Sequence, residues 1–120
     1  MNKKTLVLGA SENPSRYGHM AVKRLRARGH DVIAIGRREG IVEDVAIHKG
    51  TPNVEEIDTV TMYMNDQNQK EYESYILSLN PKRIIFNPGA ENRQLAQKAS
   101  EQGVEVINAC TLVMLSTGQY

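Results

Sequence analysis

Five short apolar runs recur along the chain, Thr5–Leu8, Asp31–Ile35, Thr59–Met64, Arg83–Phe86 and Val104–Ile107, and stretches of helical period separate most of them. The runs are rich in β-prone residues on both faces, as strands covered by helices on each side must be. Between them, Tyr17–Arg28 carries Gly18, Ala21, Val22 and Leu25 at helical spacing, with Lys23, Arg24, Arg26 and Arg28 facing outward. Gln67–Leu79 does the same with Tyr72, Ile76 and Leu79, and Glu91–Gln102 with Leu95, Ala96 and Ala99. Gly29, Asn80-Pro81 and Gly103 stop the three helices. Right-handed crossovers then leave one architecture: an α/β fold with a single doubly wound, mainly parallel five-stranded sheet and helices on both faces. Gly40–Ile57 reads as irregular, with a short edge strand around Val42, Val45 and Ile47 and one helical turn opening at Asn53.

Composition bounds what such a sheet serves. With 120 residues, 40% hydrophobic, the chain reads as one domain spanning residues 1–120. Fifteen Lys and Arg against 14 Asp and Glu give a net charge of +1, which argues against a nucleic-acid partner. One cysteine suits a reducing compartment, and the short apolar run after Met1-Asn2-Lys3-Lys4 is too brief for a signal peptide or a membrane span. The expectation is a cytoplasmic protein without membrane partners.

In doubly wound sheets ligands bind outside the carboxyl ends of the strands. At the end of the first strand stands Gly9-Ala10-Ser11-Glu12-Asn13-Pro14-Ser15-Arg16-Tyr17, the densest functional signal in the chain. A small, polar turn between strand and helix aims free backbone N–H groups and the positive end of the helix dipole at one point, which suits a phosphate. Ser11 and Asn13 can donate hydrogen bonds, and Arg16 adds a fixed charge. The alternative is a structural turn in which Ser11 or Asn13 caps the helix. The second run ends at Gly36-Arg37-Arg38, where NAD-binding folds carry an acid; cations there suit a phosphate on the ribose, as in NADP or the 3′-phospho-ADP of coenzyme A. Met64-Asn65, Asn87-Pro88-Gly89 and Asn108 complete the same edge.

No catalytic constellation accompanies this edge. His19, His30 and His48 are too dispersed for metal ligation, His19 beside the phosphate turn reads as an exposed helix residue with donation to a ligand as the alternative, and the pairs Glu43-Asp44 and Glu55-Glu56 point their carboxylates apart. Cys110 reads as a small buried hydrophobe, with a redox contact to a thiol ligand as the alternative. Leu112–Leu115 reads as core, a homodimer interface being the other reading.

The run Gly9-Ala10-Ser11-Glu12-Asn13-Pro14-Ser15-Arg16, the strand end at Gly36-Arg37, Phe86-Asn87-Pro88-Gly89 and Asn108-Ala109-Cys110 together resemble the small standalone CoA-binding proteins related to the CoA-binding domain of succinyl-CoA synthetase α subunits. The resemblance runs end to end. It implies a Rossmann-like domain that binds coenzyme A or an acyl-CoA, with the first turn on the pyrophosphate or pantetheine side and the second strand end near the adenosine phosphate. Binding without ligase chemistry is the expectation. An NADP-dependent oxidoreductase or its remnant, and an interaction subunit with a vestigial nucleotide pocket and an unknown protein partner, stand as alternatives.

Overall fold

The structure, a computed structural model, describes residues 2–120. Its strands are β1 (Thr5–Leu8), β2 (Val32–Ile35), β3 (Gly40–Val42), β4 (Val45–His48), β5 (Thr59–Met62), β6 (Arg83–Phe86) and β7 (Glu105–Asn108). They form one seven-stranded sheet in the order β3-β4-β2-β1-β5-β6-β7. Every neighbouring pair is parallel except β3 with β4. The fold is thus the expected doubly wound α/β sheet, with seven strands in place of five.

Both added strands come from the region read as irregular with one short edge strand, which here is a two-stranded hairpin. Val42, Val45 and Ile47 point into the core while Ala46 and His48 point out, so the segment buries one face of an antiparallel hairpin. Glu43 makes the turn at φ 57°, and Arg26 forks onto the Asp44 carboxylate at 2.9 and 2.7 Å, a side chain expected to face solvent. Residues 51–58 take no helical turn.

The helices are α1 (Tyr17–Ala27), α2 (Asp66–Gln69), α3 (Glu73–Leu79), α4 (Arg93–Glu101) and α5 (Thr111–Ser116). A 3-10 turn over Lys70–Tyr72 divides the helix expected from Gln67 to Leu79. The period-2 alternation of the strands sorts the core into two layers. Leu6, Leu8, Val60, Met62, Ile84 and Phe86 pack with Ile76 and Leu95 on one face. Val7 and Ala34 pack with Val22, Leu25 and Leu115 on the other. Each such side chain fully removed from water contributes about 1.5–3 kcal/mol, so the layers fix the register of every strand. Among the described residues no helix is long and apolar enough to cross a membrane.

From β1 the chain winds to β2 on one side, and from β5 it winds to β6 on the other. The reversal opens a crevice between the carboxyl ends of β1 and β5.

Candidate functional site

Three backbone approaches build the floor of this crevice. Gly9, at φ 108°, lies so close to Tyr63 that a Cβ would sit 3.0 Å from the Tyr63 backbone. A Cβ on Gly18 would sit 2.1 Å from the Gly9 carbonyl oxygen, and one on Gly36 2.2 Å from that of Ala10. Helix α1, the end of β2 and the loop after β5 therefore close on Gly9 and Ala10 with no room for a methyl group.

The loop itself is held by its own side chains. Gly9 N and Ala10 N donate to Ile35 O at 2.8 and 2.9 Å, stitching it to β2. Ser11 Oγ accepts from Asn13 N, and Asn13 Oδ1 accepts from both the N–H and the hydroxyl of Ser15. Neither side chain caps α1: the N-cap is Arg16, which makes no side-chain capping bond. The first turn of α1 is thus left with free donors. Among the described residues, the N–H groups of Ser11, Glu12, Tyr17, Gly18 and His19 find no acceptor. Arg16, Arg37 and Arg38 are exposed and form no ion pair among those residues. The Arg37 charge reaches Tyr72, whose phenol is pushed up mainly by burial, further by Glu71, and drawn back by Arg37.

The remaining edge residues divide. Asn65 caps α2 through Oδ1, which accepts from Asn68 N at 2.9 Å, and Met64 is buried. Asn87 is 2% exposed, with Nδ2 donating to Thr61 Oγ1 and Met62 O and Oδ1 accepting from Thr111 N, so its side chain is spent within the protein. Pro88 and Gly89 are exposed beside it. Asn108 is exposed at the end of β7, three strands from β1, or roughly 14 Å at ordinary strand spacing. Gly9 to Tyr17, Gly36-Arg37 and Met64-Asn65 therefore follow the carboxyl ends of three adjacent strands around the switch point, and Asn108 lies apart from them. The Tyr63 backbone faces Gly9, while burial pushes its phenol, beside Thr61 and Thr111, up to about 12, with Thr111 tempering the effect although Tyr63 Oη has no well-formed hydrogen bond. Cys110 is half-buried at the N-cap of α5. No group of three or more His, Cys, Asp and Glu among the described residues is placed to hold a metal ion.

Two residues important to the edge escape sequence reasoning. His19 is buried on α1, with Nδ1 2.8 Å from Ser11 O, where an exposed side chain was expected. Gln69 is fully buried: Nε2 donates to Met64 O and Ala90 O, each at 2.7 Å, and Oε1 accepts from Asn92 Nδ2 at 2.9 Å. Asn92 in turn caps α4 through Leu95 N. One amide thus ties the loops after β5 and β6 to the start of α4. Only the tertiary fold identifies either role, since a Gln within a helical stretch reads as solvated.

A doubly wound sheet with free amides and arginines around its topological switch point is the architecture of nucleotide-binding α/β proteins. Residues 3–116 match the family described as CoA binding domain, and the chain belongs to that family. A crystal structure of an uncharacterized protein is similar over 100% of this chain and 99% of its own length, with 49% identity and a TM-score of 0.96. A hypothetical protein from Pyrococcus horikoshii OT3 is 23% identical, covering 96% of this chain and 82% of its own, with a TM-score of 0.86. The structure of cell-free ID.343 from Thermus thermophilus is 19% identical, covering 98% and 90%, with a TM-score of 0.84; these last two share the fold. No curated protein matches the chain.

Proposed function

We propose that this protein binds coenzyme A or an acyl-CoA and catalyses no reaction of its own. The pyrophosphate sits on the loop Gly9, Ala10, Ser11, Asn13, Ser15, Arg16 and Tyr17. The ribose phosphate faces Gly36-Arg37, and the pantetheine arm runs along the crevice past Met64 and Asn65 towards Asn87, Pro88 and Gly89. The observation that carries this reading is the cluster of five N–H groups without acceptors on one loop and helix start, with Arg16 beside it. Free amides at a helix N-terminus attract an anion, and family membership supports coenzyme A as its source.

The test is a thermal-shift series with coenzyme A, dephospho-CoA, NADP and NAD at equal concentration. A ligand at about a hundred times its dissociation constant adds about 2.7 kcal/mol, several degrees for a protein of this size. Stabilisation by coenzyme A, weaker with dephospho-CoA and absent with NAD, is expected. A preference for NADP would replace the reading with a dinucleotide one, and the absence of any shift would leave an interaction subunit.

A further inference from the structure

The loop that carries the free amides also carries two groups that would repel an anion: the Ser11 carbonyl and the Glu12 carboxylate. Both are tied back. Glu12 Oε2 accepts from Ile41 N of β3 at 2.8 Å, so its charge is drawn towards the edge hairpin. Ser11 O lies 2.8 Å from His19 Nδ1, one turn into α1. A carbonyl oxygen only accepts, so Nδ1 carries the proton and the His19 tautomer is fixed by the contact itself.

We propose that His19 is a positioning residue for the anion, acting through the Ser11–Glu12 peptide; the inference rests on the function proposed above. In a planar trans peptide the C=O and the N–H point in opposite directions. Holding the Ser11 oxygen on α1 therefore turns the Glu12 N–H away from the helix, and that N–H is one of the five without an acceptor. Released, the peptide can rotate and present its oxygen where the amide stood, exchanging an attraction for a repulsion. The ring is itself buried, which holds Nδ1 in place against the Ser11 oxygen. The short span from residue 11 to residue 19 makes the contact part of the loop rather than of the distant core.

Three variants separate positioning from packing. His19→Ala removes the donor, His19→Asn places an amide N–H where Nδ1–H stood, and His19→Gln places one where Nε2 stood. Each is measured for folding by circular dichroism and for binding of coenzyme A and inorganic pyrophosphate by calorimetry. The native imidazole is assigned by nitrogen-15 NMR. The expected results are an Nδ1–H tautomer, coenzyme A affinity about three- to tenfold weaker in the Ala and Gln variants, and affinity within about twofold of native in the Asn variant. Equal losses in all three, or none in folded His19→Ala, would overturn the positioning role while native binding upheld the proposed function. A native protein that binds neither coenzyme A nor pyrophosphate would overturn both.

Discussion

Replacing Gln69 by Glu changes one NH2 for one oxygen and almost no volume, in a site with no access to water. The native amide donates to Met64 O and Ala90 O. A protonated glutamic acid keeps one donor, so one buried carbonyl loses its partner at a cost of about 1–3 kcal/mol. An ionised carboxylate would face both carbonyls with no donor at all, and burial disfavours its charge as well. The folded-state pKa of the introduced carboxyl is therefore raised above the unfolded value of about 4.3. The folded state then holds a proton that the unfolded chain releases. Stability contributed by the neutral form is complete below about pH 4.3 and is lost as pH rises, by up to about 1.4 kcal/mol per pH unit, until the folded pKa is passed. Urea unfolding of Gln69→Glu and native protein at pH 5, 6, 7 and 8 measures this directly. The difference between them is expected to be about 1–3 kcal/mol near pH 5 and to widen with pH. A constant difference, or none, would refute the assignment of the amide to two carbonyls. Gln69→Leu serves as the comparison, destabilised at every pH with no widening.

Other consequences follow from the same geometry. Arg37→Ala should weaken coenzyme A about ten- to a hundredfold, since a charge-assisted hydrogen bond is worth roughly 1.5–3 kcal/mol, and should leave dephospho-CoA affinity nearly unchanged; calorimetry reads both. Gly36→Ala should destabilise the fold by about 1–3 kcal/mol or more in urea unfolding, because its Cβ would meet the Ala10 carbonyl oxygen at 2.2 Å. His30 Nδ1 accepts from Lys3 N at 2.9 Å, and its pKa is lowered by burial first and then by cations including Lys3 and Arg83, against Asp58. Its contribution is therefore present above about pH 6.5 and lost as pH falls through the lower folded value, a slope that His30→Asn should remove from a pH series of unfolding curves.

The parallel strands were legible because each is an apolar run that ends at Gly, Asn or a helix-compatible stretch, and burial on both faces allows few other residues. The hairpin β3–β4 was legible only as one edge strand, because its turn is Glu43-Asp44, with a glutamate at positive φ where a glycine or asparagine would have signalled it. Helix α5 escaped for a related reason. Its N-cap, Cys110, forms no side-chain cap bond, and Thr111 N is instead taken by Asn87 from another loop. The loop from Gly9 to Arg16 showed its composition in the sequence but not its wiring. Ser11 and Asn13 look like caps, yet they bind their own neighbours, and the free donors at the start of α1 follow from that. The burial of His19 and Gln69 rests on partners in other segments, which local pattern does not encode.

The central strand has a consequence for how the molecule comes into being. Leu8 pairs with Ile35 on one side and Met62 on the other, and Gly9 rests against Tyr63. As the polypeptide leaves a ribosome, the loop from Gly9 to Arg16 emerges well ahead of its floor, which waits until the chain beyond Tyr63 has been made. Closing so long a span carries an entropic cost that a local turn avoids, so β1 gains its second neighbour late. Until then Leu6 and Leu8 lack the β5 side of their layer, and Gly9 lacks the Tyr63 backbone it rests against, leaving Ile35 O and the loop's own side chains as its restraints. The turn from Gly9 to Arg16, made before every strand that pairs with β1, completes its packing only after Tyr63 has followed it.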